Sequence, residues 1–196
     1  MEIMRTLESS AVSEPGQRSL AESNLPTTAF IDNFAKVVRR SRLCKWWQMR
    51  GMWKAEIWEI EKHFEVLLPE IYIDFLAKMG GGAGEFFAGF AIFRNDLFKI
   101  RKEFRRVLKR DGDPFDLPSE TFVFASHRGN VFFFFDTSDY HKDPPIYGYT
   151  RNDRHIRLVS ESFSGFLIES LAGQKAFGTK FTIRKNAVSR LQHQLD

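Results

Sequence analysis

The segment from residue 56 to residue 82 constrains the fold most, because it contains two amphipathic helices, a proline between them and a glycine cluster. The first helix carries apolar residues at steps of three and four, which places them on one side: Ile57, Ile60, Phe64 and Leu67. Pro69 suits the first turn of a second helix, whose apolar side consists of Tyr72, Phe75, Leu76 and Met79. Gly80 is expected to end that helix with a positive φ. A helical hairpin with one apolar side needs a sheet to cover it.

The second half of the chain is predicted to supply that sheet. Residues 121–124 alternate, with Phe122 and Phe124 on one side, and a glycine marks a turn at residues 127–130. Residues 131–135 are apolar at every position, which is typical of a strand covered on both faces at the middle of a sheet.

Two more strands and a last helix complete an α+β pattern. The strands are predicted at residues 146–149 and 154–159, and Ile156 and Leu158 are expected to face inward. A final core helix is expected to begin at Ser162 and to end at Gly173, with Phe163, Phe166, Leu167 and Leu171 as its apolar stripe.

Composition indicates a packed, intracellular protein. The 196 residues include 21 phenylalanines, so a core rich in phenylalanine is expected. No apolar run approaches the roughly 20 residues of a membrane helix, and the longest covers residues 86–93. Cys44 is the only cysteine, which excludes an internal disulfide and fits a reducing compartment. We therefore expect a soluble, cytoplasmic chain.

The N-terminal quarter divides into two parts. Residues 1–24 are predicted to be a disordered leader, because they hold few large apolar groups. Residues 25–52 are predicted to be a basic amphipathic helical extension, with Thr27 or Thr28 as its cap. Its aromatic end, which includes Trp46 and Trp47 and runs on to Trp53, suits a membrane surface or nucleic acid. The alternative, which we favour, is that these aromatics dock on the core.

A second basic helix is predicted over residues 95–110, capped by Asn95 or Asp96 and ended by Gly112. Its exposed side is expected to carry Lys99, Arg101, Lys102, Arg105 and Arg106, among others. Such a side can dock on phosphates or on acidic protein, although charge runs of this kind most often serve solubility.

The order of these motifs resembles the SUKH superfamily, which includes yeast cell-wall-assembly regulators and many bacterial proteins. The residues that carry the likeness lie within 53–172: Leu68-Pro69 with Tyr72, Phe75 and Leu76, the Gly80–Gly82 turn, Phe124-Ala125, Pro145-Ile146-Tyr147 and Ser162-Phe163. The resemblance implies a single α+β domain in which helices pack on a mixed sheet. Residues 25–52 and a basic extension at 173–196 then flank that domain.

The resemblance also implies function, since many bacterial members are immunity proteins that bind and neutralise a toxin. Partners of basic toxins tend to be acidic, because electrostatic attraction between surfaces of opposite charge speeds association. The formal net charge here is +4, but residues 53–172 hold 16 Lys and Arg against 19 Asp and Glu. The predicted domain itself is therefore mildly acidic.

No set of catalytic residues emerges from the sequence, so we expect a protein that is not an enzyme and needs no cofactor. Ser126 and His127 are adjacent, whereas a catalytic Ser–His pair acts through space. Residues 136–143 hold three carboxylates and a histidine, but their spacing does not match a calcium loop and Lys142 opposes a cation. We predict no metal there.

Loops carry most binding function, so the predicted contact residues lie on loops: Glu85, His127, Arg128, Asp136, Asp139, Tyr140 and Asp143. The first hypothesis is a non-catalytic protein-binding domain. In its specific form, it is an immunity protein that binds and neutralises a toxin. The alternatives are a regulator or scaffold of the same fold, or a nucleic-acid binder that works through the basic helices. No membrane partner is expected.

Overall fold

The computed structural model describes residues 26–112 and 117–177. The predicted leader at 1–24 and residues 178–196 of the predicted basic extension lie outside these residues. The helices are α1 (Thr27–Arg40), α2 (Lys54–Phe64), α3 (Glu70–Met79), α4 (Arg94–Asp111) and α5 (Phe163–Phe177). The strands are β1 (Met49–Arg50), β2 (Gly82–Ala83), β3 (Phe90–Ala91), β4 (Thr121–His127), β5 (Val131–Asp136), β6 (Ile146–Thr150) and β7 (His155–Ser160). None of the described helices is both long and apolar enough to cross a membrane.

Strands β3 to β7 form one sheet in sequence order, and β1 pairs with β2 separately. All the pairings between described strands are antiparallel, unlike the mixed sheet that the resemblance implied. The physical reason is that β4 to β7 follow one another through short connections, which reverse the chain at each step. Residues 132–135 of the central strand β5 are buried, so the prediction of a doubly covered middle strand is confirmed.

Helices cover both faces of the sheet. On one face, Tyr72 of α3 meets Phe122, Phe124 and Phe135 with ring centroids 5.3 to 5.9 Å apart. On the other face, Phe104 of α4 stacks on Phe132 at 4.6 Å. The phenylalanines of alternate positions on β5 thus face different helices, which gives an α+β domain of three layers.

The N-terminal extension belongs to the same core as the rest of the domain. Ile31, Phe34 and Val38 are buried, and the Phe34 ring packs on Phe86 at 5.6 Å. Helix α1 ends at Arg40, whereas the helical extension was predicted to run to residue 52. The chain turns after α1, and residues 49–50 form β1, which pairs with β2.

Two details of this extension differ from the prediction. Pro26 precedes α1, and the Thr27 and Thr28 hydroxyls donate to Asp74 of α3 instead of capping the helix. Trp46, Trp47 and Trp53 are exposed, so the prediction that the aromatic end docks on the core was wrong. The apolar stripe of α1 already covers α3 and leaves the tryptophans outside.

The helical hairpin forms as predicted, except at its ends. Glu65 adopts a left-handed conformation, which breaks the helical register and leaves Leu67 76% exposed. Gly80 ends α3 with a negative φ of −64°. Glycine is required there because a Cβ would lie 2.7 Å from the Leu76 carbonyl oxygen.

The far edge of the sheet and the last helix also differ from expectation. Ile156 and Leu158 on β7 are exposed, because α4 does not extend over that edge strand. Helix α5 begins after Ser162, whose Oγ accepts from the Gly165 N–H, and continues through Gly173 to Phe177. The buried Gln174 amide, which bonds to the 85–87 backbone, explains why the helix does not stop at the glycine. Helix α4 begins at Arg94, ahead of both predicted caps.

We expect Tyr72→Phe to stabilise the protein. Tyr72 is fully buried, and its hydroxyl has no hydrogen-bond partner among the described residues. Removing a buried, unsatisfied hydroxyl should raise the free energy of unfolding by about 1 kcal/mol in urea denaturation. Tyr140→Phe is the control. The Tyr140 hydroxyl donates to Glu70, so its removal should not raise the free energy of unfolding. Equal or lower stability of Tyr72→Phe would show that this hydroxyl is satisfied.

Phe133→Asp should unfold the protein, because it places an unpaired charge at the centre of the sheet. Such a burial costs several kcal/mol, which is a large part of the stability of a typical domain. Leu158→Asp on the exposed edge strand β7 serves as control and should keep its native circular dichroism. A folded Phe133→Asp variant would contradict the assignment of β5 to the core.

Candidate functional site

The loop that joins β5 to β6 carries four of the predicted contact residues, and we term residues 136–143 the acidic loop. It begins with a tight turn in which Asp136 accepts from the Ser138 N–H and hydroxyl, both at 2.9 Å. Thr137 bonds to the Glu120 carbonyl oxygen through its N–H at 2.9 Å. The first half of the loop is therefore held by an Asp136–Ser138 turn and by a backbone bond to the segment before β4.

The second half of the acidic loop is tied to the start of α3. The Tyr140 hydroxyl donates to Glu70 at 2.8 Å, and the Lys142 ammonium lies 3.5 Å from the same carboxylate. The Tyr140 hydrogen bond and then the Lys142 charge lower the pKa of Glu70, while the same hydrogen bond raises the pKa of Tyr140. The Ile71 N–H also donates to the Lys142 carbonyl oxygen. These bonds fix the loop on the first turn of α3.

Asp143 ends the acidic loop and acts as a second cap of α5. Its carboxylate accepts from the Ser164 N–H at 3.0 Å and from the Ser164 hydroxyl. Asp139 is exposed, and Tyr140 is 61% exposed although its hydroxyl is bonded. Asp139 and Tyr140 are thus accessible at the middle of the anchored loop, together with the exposed His141 and Lys142.

The other three predicted contact residues lie at the opposite end of the strands. Arg128 has a left-handed conformation at the tip of the β4–β5 hairpin, and the half-buried His127 packs on Phe90 at 4.8 Å. Burial and then the Arg128 charge lower the pKa of His127. Glu85 lies on the neighbouring glycine-rich loop, where its N–H donates to Leu43 and its side chain is exposed.

The predicted contact residues therefore form two groups. Five residue steps of β5 separate the hairpin tip from the start of the acidic loop, which amounts to about 16 Å. At this distance, one small ligand cannot touch both groups of predicted contact residues.

Helix α4 exposes most of the basic residues predicted for it. Lys99, Lys102, Arg105 and Arg106 are exposed. Arg101 is different, because its guanidinium donates to the carbonyl oxygens of Pro118 and Ser119, each at 2.9 Å. Burial, followed by the charge of Arg105, lowers the pKa of Arg101. Arg101 is thus a structural residue that holds the start of β4, rather than part of a free basic surface.

Several features of this surface were not identified from the sequence. Glu70 was not among the predicted contact residues, and its contact with Tyr140 spans 70 residues, for which the sequence gives no signal. The groove between Trp47 and Trp53 was also missed, since the tryptophans were expected to be buried. Their position in a strongly basic segment was the signal that could have found it.

No three His, Cys, Asp or Glu side chains in residues 26–112 and 117–177 lie close enough together to hold a metal ion. Cys44 is buried, and desolvation raises the pKa of its thiol, which disfavours the reactive thiolate.

A sheet between two helical layers, with an anchored and exposed loop at one end, defines an α+β domain. The family model described as "SMI1-KNR4 cell-wall", one of the SUKH families, matches residues 54–167, more than half of the chain. The chain belongs to this family, and the resemblance seen in the sequence is confirmed. No curated protein matches the chain.

Asp143→Ala should destabilise the protein, because it removes the tertiary cap of α5. We expect a loss of about 0.5–2 kcal/mol in the free energy of unfolding, measured by urea denaturation. Asp139→Ala, four residues earlier on the same loop, is the matched control and should stay within about 0.5 kcal/mol of the wild type. Equal effects of the two substitutions would contradict the capping role.

Proposed function

We propose that this SUKH-family chain is a non-catalytic protein-binding domain that binds and neutralises a toxin enzyme through its acidic loop. The observation that carries the proposal is the anchoring of that loop. Glu70, Ser164 and the backbone of α3 hold it in place, while Asp139 and Tyr140 stay accessible. A loop that is already ordered loses little conformational entropy on binding, which favours affinity.

The composition of this end of the molecule suits a basic partner surface. Glu70, Glu120, Asp136 and Asp139 all lie on or beside the loop. Tyrosine is enriched where interfaces bury their central residues, and Tyr140 stands among these carboxylates. The exposed Leu67 adds apolar surface just before α3 begins. Acidic groups around an aromatic centre would steer and hold an enzyme whose own surface is basic.

The proposal is tested by capture from extracts of the source cell. We expect the immobilised wild-type protein to retain an enzyme whose activity falls when the two are mixed. Asp139→Lys should weaken that binding about tenfold or more, because it places like charges opposite each other, and calorimetry on the purified pair measures the change.

Glu59→Lys is the matched control, since Glu59 is an exposed acidic residue on α2, away from the acidic loop. It should bind the partner as the wild type does. Equal binding by Asp139→Lys would remove the acidic loop as the contact site. A retained partner that keeps its full activity would refute neutralisation and favour the alternative, a regulator or scaffold of the same fold.

A further inference from the structure

A second surface, independent of the acidic loop, lies at the other end of α3. All four tryptophans of the chain are exposed: Trp46 at 73%, Trp47 at 56%, Trp53 at 80% and Trp58 at 59%. Tryptophan is a large apolar side chain that a folded protein usually covers at least in part. Trp46, Trp47 and Trp53 lie close together in the chain, so their exposed rings offer apolar surface to a molecule outside the described fold.

Two of these tryptophans flank a concave groove, which we term the tryptophan groove. Trp47 lines one part of it, Trp53 lines the adjoining part, and Arg50 is common to both. The larger part has a volume of about 530 Å³, within the range of small-ligand sites. Gly81 and Gly82 are among its lining residues, and because glycine has no side chain, a ligand can approach the backbone closely at these positions.

The groove lies in the most basic part of the chain. Residues 33–55 contain seven basic residues and no acidic one, and all seven are exposed: Lys36, Arg39, Arg40, Arg42, Lys45, Arg50 and Lys54. Within the part of the chain that the structure describes, none of the seven forms an ion pair. Their charge is thus left for an external anion.

The cations and the tryptophans occur side by side. The Lys45 ammonium lies 5.2 Å from the centre of the Trp47 ring, and Lys54 directly follows Trp53. Two acidic residues line the groove: Glu56 is paired with Arg94 and accepts from the Trp53 N–H, and the half-buried Asp96 lies in the part beside Trp47. Arg50, which lines both parts, forms no ion pair among the described residues.

The shape and chemistry of the surface favour one class of polyanion. An anionic membrane is bound by an amphipathic helix whose apolar face lies in the headgroup region, whereas Trp47 and Trp53 lie outside the described α-helices and line a groove. An acidic protein segment would pair with the cations but has no particular need of aromatic rings. Single-stranded nucleic acid uses both features, because its phosphates pair with Lys and Arg while its bases stack on aromatic side chains.

We propose that the tryptophan groove binds single-stranded nucleic acid, with Arg50 on the phosphate backbone and Trp47 and Trp53 as platforms for bases. This site lies about 15 Å from the acidic loop, because α3 begins with Glu70 at that loop and ends with Met79 beside the groove. The proposal does not depend on the toxin partner, and both sites can be occupied together.

The test is titration of the full chain with oligouridylate and oligothymidylate of about 12 nucleotides, a length that suits one such site. Base stacking should quench tryptophan fluorescence, and fluorescence anisotropy of a labelled oligonucleotide gives the affinity. The logarithm of the binding constant should fall linearly with the logarithm of the salt concentration, by about 0.7 per phosphate contact.

Substitutions locate the site. Trp47→Ala should weaken binding about tenfold or more, while Trp47→Phe should retain most of the affinity because a stacking ring remains. Arg50→Ala should reduce the slope of the logarithm of the binding constant against the logarithm of the salt concentration by about 0.7, because one phosphate contact is lost. Trp58→Ala and Arg105→Ala are matched controls that replace exposed residues outside the groove, and both should bind normally. Circular dichroism of each variant confirms that it is folded.

Competing polyanions supply the outcomes that overturn the proposal. Polyglutamate or anionic phosphatidylserine vesicles that bind as tightly as the oligonucleotides would show a generic charge effect or a membrane site. Equal binding by Trp47→Ala and Trp47→Phe would exclude stacking at the groove. A loss of affinity with Arg105→Ala but not with Arg50→Ala would assign binding to α4.

Discussion

The packing of one tyrosine against a sheet of phenylalanines holds this structure together. Tyr72 lies in the first turn of α3 and contacts rings on β4, β5 and α5, among them Phe135 and Phe163 at 5.3 Å. Offset and edge-to-face arrangements of aromatic rings add to the free energy of burial. They also fix the direction in which α3 crosses the sheet, because rings pack well in few orientations. The buried Tyr72 hydroxyl, with no partner among the described residues, is the cost of this arrangement.

The fixed position of α3 gives the molecule two ends of different character. Its first turn holds the acidic loop through Glu70 and Ile71. Its last turn lies beside the tryptophan groove, where the Met52 N–H donates to the Leu76 carbonyl oxygen. We propose a basic protein partner for the first end and single-stranded nucleic acid for the second. Both proposals describe a domain that acts by binding.

Much of the fold could be predicted because the spacing of apolar residues indicates whether a segment forms a helix or a strand and which of its sides is apolar. The continuous apolar run of β5 requires cover on both faces, and the alternation of Phe122 with Phe124 required a strand. The same reasoning failed for Ile156 and Leu158, since alternation shows which residues share a face but not whether a helix covers it. The prediction that Trp46 and Trp47 dock on the core failed because the sequence does not show whether another element covers them. Of the candidate site, the acidic loop was located correctly in the chain, but its anchor on Glu70 could not be foreseen.

The sequence by itself determined the order of helices and strands, the central place of β5 and the aromatic nature of the core, because these follow from local periodicity and from the burial of large side chains. Only the tertiary structure decided which apolar residues stay in water and which polar ones become anchors. Asp143 and Arg101 were both read as accessible charges, yet one caps α5 and the other holds the start of β4. Contacts between residues far apart in the chain depend on how the layers pack, and no spacing along the sequence records them.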